Sequence, residues 1–271
     1  MSHLPRVERF VAIGDSQTEG LHDYHRDGTP RGWADRFAEA IARQHPDLRY
    51  ANLAVRGKRT AEIRATQIEP ALALAPDVAS VMCGVNDVIR PGADLDAVAE
   101  DLEGMVASLA GIGCRVLVAT FPLPTTGLTA RVAPALQALN VRVREAAARH
   151  GALVAELEPL PMAADLRLWA DDRIHLNPEG HARLAAAMLS TLAQDGDTSW
   201  QAELPAARPA GPLRTAASEA KWIASYVVPK IGRLVRGVSS GDGRVAKRPS
   251  LLPVQAEADA EPVAPASANR N

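Results

Sequence analysis

Gly14-Asp15-Ser16 closes the apolar run Phe10-Val11-Ala12-Ile13, which places a hydroxyl at the exit of a buried strand, on the turn toward the next helix. A serine held there can act as a nucleophile, and it neighbours backbone N–H groups able to stabilise an oxyanion. Gly-Asp-Ser is also a common turn and N-cap sequence, so Ser16 acquires chemical meaning only through partners. A base and an orienting acid occur together in Asp172-Arg-Ile-His175-Leu-Asn-Pro178. Among seven histidines His175 is favoured because Asn177-Pro178 marks a loop-to-helix junction, whereas His181 falls inside the following helix. Asp172 lies close enough in a turn to set the tautomer of His175; Asp171 is its competitor, and either carboxylate could instead cap the turn. Gly57, in Asn52-Leu-Ala-Val-Arg-Gly57, lets a backbone N–H approach a carbonyl, and Asn86, in Gly84-Val-Asn-Asp87, offers a side-chain amide. With the Ser16 amide they would form an oxyanion hole of three donors. Taken singly, Gly57 and Asn86 also read as ordinary turn residues. His22, Asp23 and His25 suggest a metal only weakly, since a polar loop reads as solvated; no metal and no cofactor is expected.

Short strands alternating with helical patterns must position these groups. Phe10–Ile13, Arg49–Ala54, Val78–Cys83, Val116–Phe121 and Ala152–Ala155 read as strands. Helices are expected over Trp33–Gln44, from Thr60, over Leu95–Leu109, around Arg131–Arg149 and from near Pro178. Leu95, Val98, Ala99, Leu102, Val106 and Leu109 share one helical face, as do Val132, Leu136, Leu139 and Val143. Such a series predicts a parallel sheet covered by helices on both faces, with ligands beyond the carboxyl ends of its strands. Each candidate residue falls in a loop after a strand.

The ordered blocks Gly14-Asp15-Ser16, Asn52 through Gly57, Gly84-Val85-Asn86-Asp87 and Asp172 through His175 resemble those of the SGNH hydrolases, the GDSL esterase/lipase family, over about residues 8 to 195. The resemblance implies a flavodoxin-like three-layer α/β/α sandwich with a central parallel sheet. It implies Ser16 as nucleophile, His175 as base, Asp172 as its partner, and Ser16, Gly57 and Asn86 as oxyanion donors. Gln17 departs from the leucine usual in the GDSL wording, which bears on substrate preference. Tails like this C-terminus are familiar from actinobacterial members. The implied activity is a serine esterase acting on a short-chain acyl or acetyl ester, with a carbohydrate as one candidate alcohol. A lysophospholipase, a thioesterase or an acyltransferase would use the same residues, and a non-catalytic binding protein could retain the fold.

The 271 residues are 47% apolar and 23% charged with a formal net charge of -2, a globular composition with no electrostatic case for nucleic acid. The opening residues lack an apolar leader and no run reaches the roughly 18 apolar residues of a membrane span, so a cytoplasmic protein is expected. Cys83 and Cys114 close apolar runs and read as buried thiols. Residues 1–195 are expected to form the hydrolase domain, 196–214 a linker, 215–237 an amphipathic basic helical segment and 238–271 a disordered tail. The basic segment could meet an anionic membrane or partner surface, or pack back on its own domain. Oligomeric state is not legible.

Overall fold

The computed structural model of the chain describes residues 4–90, 92–124, 128–158, 160, 165–206, 211–229, 232, 236 and 239–254. The buried runs form parallel strands β1 (Arg9–Gly14), β2 (Arg49–Asn52), β3 (Val78–Met82), β4 (Arg115–Ala119) and β5 (Leu153–Ala155). Between them run α1 (Ser16–Glu19), α2 (Gly32–Ala42), α3 (Thr60–Ala73), α4 (Val85–Val88), α5 (Leu95–Gly111) and α6 (Ala133–His150). Helix α7 (Pro178–Ala193) follows, capped by the Asn177 side chain on the Gly180 N–H with Pro178 opening its first turn.

The sheet order is β5-β4-β3-β1-β2, continued by one antiparallel edge strand. This is the flavodoxin-like order, in which the chain reverses direction across the sheet between β1 and β3. Gly14 pairs with Met82 and Ala12 with Asn52, so the exits of β3, β1 and β2 lie side by side. Helices α2 and α7 pack together, as do α3 with α5 and α5 with α6. Phe10 stacks on Tyr50 at 5.1 Å and meets Phe37 edge-on at 4.9 Å, fixing α2 against the first two strands.

The C-terminal part departs from the expected organisation. Helix α8 (Pro212–Trp222) starts inside the stretch read as linker and continues as a π-turn over Ile223–Val227. Residues 248–253, expected to be disordered, form the edge strand β6 (Arg248–Pro253) on β2. Two cations anchor it. Lys247 Nζ donates to the Pro30 and Arg31 carbonyls at 2.8 Å and pairs with Asp35, while Arg248 Nε donates to the Tyr50 carbonyl at 2.8 Å. Lys230 and Arg233, two of the four basic residues of the expected 215–237 segment, and the tail from 255 lie outside the described residues, as do residues 125–127. Cys83 follows β3 as expected, but Cys114 precedes β4 rather than closing a strand; both thiols are free and buried.

Candidate active site

The turn after β1 is built for close approach. Gly14 has φ +155°, and a Cβ there would lie 2.5 Å from the Met82 carbonyl oxygen and 2.7 Å from Thr18 Oγ1. Its N–H donates to Gln67 Oε1 and its carbonyl accepts from Gln67 Nε2, both at 2.9 Å, so a side chain of α3 holds the strand exit from both sides. Asp15 then caps α1, accepting from the Gln17 N–H at 3.3 Å, and Ser16 opens that helix with little of its surface exposed.

Ser16 Oγ lies 2.8 Å from His175 Nε2, and His175 Nδ1 lies 2.6 Å from Asp172 Oδ2. The other carboxylate oxygen, Oδ1, accepts the Ile174 and His175 backbone N–H groups at 2.9 and 3.0 Å. An ionised carboxylate only accepts, so His175 carries its proton on Nδ1 and presents the Nε2 lone pair to the serine hydroxyl. Burial works to raise the Asp172 carboxyl, but hydrogen bonds from His175 and His22 outweigh it and hold the group far below the usual carboxylate range. Asp171, the competing acid, is not the partner of His175.

His181 is excluded as the base by its surroundings. Fully buried in α7, it accepts the Trp33 N–H on Nδ1 at 3.1 Å and donates from Nε2 to the Leu21 carbonyl at 2.9 Å. Burial pushes it down to about 4, so it serves as a neutral tie between α7, α2 and the loop after α1.

The loops carrying Gly57 and Asn86 meet the Ser16 turn. Asn86 Nδ2 donates to Asp15 Oδ2 at 3.0 Å and to the Lys58 carbonyl at 3.1 Å, bridging the β1, β2 and β3 exits. Both amide protons are thus engaged, and a substrate oxyanion would have to draw one away. Asp87 accepts from the Thr60 N–H and hydroxyl at 3.0 and 2.8 Å, fixing the same loop to α3. Asn52 is buried, with Nδ2 on the Thr18 carbonyl at 2.7 Å. Gly57 has φ +76°, and a Cβ there would fall 2.5 Å from Ser239 Oγ. The C-terminal segment therefore packs directly on this loop, with Ser239 Oγ donating to the Gly57 carbonyl at 3.2 Å.

Four further residues converge here without having been singled out as site residues. Glu19 accepts from Arg56 N–H at 2.7 Å and from Arg56 Nε at 2.9 Å, binding α1 to the Gly57 loop. Gln17 contacts the backbone on either side of His175. His22, read as solvated, instead sits 3.2 Å from Asp172 Oδ2. In the sequence these residues were marked by proximity to Ser16 or Gly57 along the chain and, for Gln17, by its departure from the usual leucine. Asp23 and His25, grouped with His22 in the sequence, have other partners: Asp23 pairs with Arg36 and His25 with Asp35. His22, Asp172 and His175 do place ligand-type atoms within 4.8 Å of one another. Both nitrogens face the carboxylate as proton donors, so the arrangement is that of a hydrogen-bonded cluster.

Trp222 ties α8 to the same turn. Its buried Nε1 donates to the Asp172 carbonyl at 2.9 Å, and its ring faces the Arg173 guanidinium at 4.8 Å. Arg173, at φ +56°, also pairs with Glu219.

A doubly wound sheet with an Oγ–imidazole–carboxylate chain at its switch point is the architecture of a serine hydrolase. Residues 12–183 match the GDSL-like Lipase/Acylhydrolase family; the chain belongs to that family and is by class a serine ester hydrolase. No curated protein matches it in sequence. Among solved structures it is similar to an alpha/beta hydrolase enzyme from the metagenome of Lake Arreo, Spain, at 23% identity over 68% of this chain and 94% of that one, with a TM-score of 0.58. It is also similar to an acetylxylan esterase from Geobacillus stearothermophilus, at 20% identity over 71% of this chain and 95% of that one, with a TM-score of 0.57. At these identities the likeness is one of fold.

Proposed function

We propose that the chain hydrolyses acetyl or other short-chain acyl esters of a carbohydrate alcohol through an acyl-enzyme on Ser16. The observation that carries this reading is the continuous chain from Ser16 Oγ to His175 at 2.8 Å and from His175 to Asp172 at 2.6 Å. Ser16 Oγ attacks the ester carbonyl while His175 Nε2 takes its proton, and Asp172 stabilises the resulting imidazolium. His175 then returns the proton to the departing alcohol. Water, deprotonated by the same nitrogen, cleaves the acyl-enzyme and releases the acid. The Ser16 and Gly57 amides and the Asn86 side chain are the proposed oxyanion donors.

A small apolar cavity of about 50 Å³ lies beside Gln17, walled by Met82, Phe121, Leu157 and Leu176; neither Ser16 nor His175 lines it, so it does not set the acyl length. A larger cavity of about 650 Å³ is bordered by Arg9, Asp77 and Arg115 at the opposite ends of the strands, away from the serine, and does not enter the argument. The fold relative from Geobacillus stearothermophilus is an acetylxylan esterase, which is consistent with the proposed class.

The test is a panel of aryl esters of increasing acyl length together with acetylated sugars, with Ser16→Ala as control and fluorophosphonate labelling as an independent readout. Acetyl esters are expected to turn over fastest, and Asn86→Ala to lose roughly 10²- to 10³-fold in kcat. Wild-type activity in Ser16→Ala, or labelling that persists in it, would refute the mechanism.

A further inference from the structure

We propose that His22 is a second imidazole partner of Asp172, a positioning residue that shares the carboxylate with His175 and keeps the His175 Nε2 lone pair available further into the acid range. This rests on the hydrolase reading above only for its kinetic consequence, not for the geometry.

Two imidazoles converge on one oxygen. His22 Nε2 and His175 Nδ1 lie 3.2 and 2.6 Å from the same Asp172 Oδ2, and the rings are 5.4 Å apart between centroids with a 30° tilt. Because Oδ1 is occupied by the two backbone N–H groups, Oδ2 is where the side chains compete. The chain also adopts an unfavourable backbone to bring His22 there. His22 has φ +66°, a left-handed conformation that costs an ordinary residue free energy and persists where surrounding contacts impose it. Those contacts are explicit: the Leu21 N–H donates to the Ser16 carbonyl, Arg31 N–H to the Asp23 carbonyl, and the Asp23 carboxylate is held by Arg36. The turn that ends α1 is thus folded so that its imidazole reaches the acid partner of His175.

The charged groups facing His22 set the sign. Its hydrogen bond to Asp172 holds it above the usual imidazole range, with partial burial opposing; the charges of Asp172 and Asp171 favour the cation and that of Arg56, itself paired with Glu19, disfavours it. As pH falls, two rings compete for one carboxylate. A proton on His22 Nδ1 forms an ion pair with Asp172 and sets a cation beside the His175 ring, so a second proton on His175 is resisted. Even uncharged, the His22 N–H draws on the carboxylate that would otherwise serve His175 alone. Removing His22 leaves the Asp172 Oδ2 to His175 alone and takes away the neighbouring ring that can carry a cation.

The experiment compares wild type with His22→Gln, which offers an N–H donor but takes no proton, and His22→Phe, which offers neither, all in the full chain. The pH dependence of kcat/KM across about pH 5 to 8 is measured together with the ring titration of His175 by NMR. In His22→Gln and His22→Phe the acid limb is expected to move to higher pH, so that activity one unit below the wild-type midpoint, relative to each variant's own plateau, falls about threefold or more. The His175 ring should titrate at correspondingly higher pH. An acid limb and a ring titration that stay in place, or that move to lower pH, overturn the proposal. If the wild type cleaves no ester, the hydrolase reading fails, while the ring titration still decides the role of His22.

Discussion

The side-chain amide of Gln17 straddles His175: Nε2 donates to the Ile174 carbonyl at 2.9 Å and Oε1 accepts the Leu176 N–H at 3.3 Å. The residue after the candidate nucleophile therefore grips both neighbours of the candidate base, and it does so at the position where leucine is usual in the GDSL wording. A leucine could fill the space but could make neither bond. Gln17→Leu is expected to lower kcat by roughly 10- to 100-fold with KM little changed, because the imidazole loses its fixed distance to Ser16. Steady-state kinetics on an acetyl ester checks this, and a kcat unchanged in the variant would reduce Gln17 to a wall of the small apolar cavity.

Acid should unfold the protein in part through His181. In the unfolded chain this imidazole takes a proton near its ordinary value, about 6.5, whereas in the fold burial pushes it down to about 4. Between those values the unfolded state binds more protons, so stability falls as pH drops through the window. The full effect is on the order of 3 kcal/mol. Urea unfolding at a series of pH values should show this slope in the wild type and a flatter one in His181→Gln. Equal slopes would mean that the ring enters the folded state already protonated.

The alternation of strands and helices was legible because burial follows sequence period: Val98, Leu102, Val106 and Leu109 are all buried on α5, and the β3 run is buried throughout. Asp172 and His175 were legible as a pair because they are three residues apart, and Ser16 because it follows the β1 exit; nothing local joins the two segments, since 159 residues separate Ser16 from His175. What escaped depends on contacts between distant segments. Nothing in His22-Asp23-Tyr24-His25 announces a left-handed backbone turned toward Asp172, and Arg56 acquires its role only opposite Glu19. Strand β6 was hidden for a related reason. Its Leu251 and Leu252 are only partly buried or exposed, so the strand carries little apolar signal, and its anchors Lys247 and Arg248 find their partners on α2, the loop before it and β2.

Gly57→Ala tests whether the C-terminal segment presses on the loop of the proposed oxyanion donor. The substitution adds a Cβ at φ +76°, 2.5 Å from Ser239 Oγ, 2.6 Å from Ser240 Oγ and 3.1 Å from the Gly241 nitrogen. The serine side chains can rotate away, but the backbone conformation and Gly241 leave the loop itself to move. A stability loss of about 1–3 kcal/mol is expected from the forced conformation. Because the shifted loop also misaims the Gly57 N–H, kcat should fall roughly 10²-fold. Chemical denaturation and turnover measured on the same preparation separate the two effects, and a variant that is destabilised but fully active would remove Gly57 from the donor set.

Trp222 provides the test of α8 as part of the site. It is the most buried described side chain of α8, its N–H meets the Asp172 carbonyl and its ring covers Arg173, whose positive φ shapes the turn leading to His175. Trp222→Ala removes the hydrogen bond and the packing together and is expected to destabilise the protein by about 3 kcal/mol. Trp222→Phe keeps an aromatic face over Arg173 while losing the N–H, for a cost of about 1 kcal/mol. Because the bond is made to the backbone of Asp172, both variants should also lower kcat, the alanine more than the phenylalanine, and the alanine variant should be cut by protease within residues 211–222 where the wild type resists. Thermal unfolding, kcat and the protease pattern would then rank in the order wild type, phenylalanine, alanine. If all three measures are the same in Trp222→Ala as in the wild type, α8 does not hold the Asp172 turn, and the order of His175 must come from Gln17 and the Asp172 carboxylate alone.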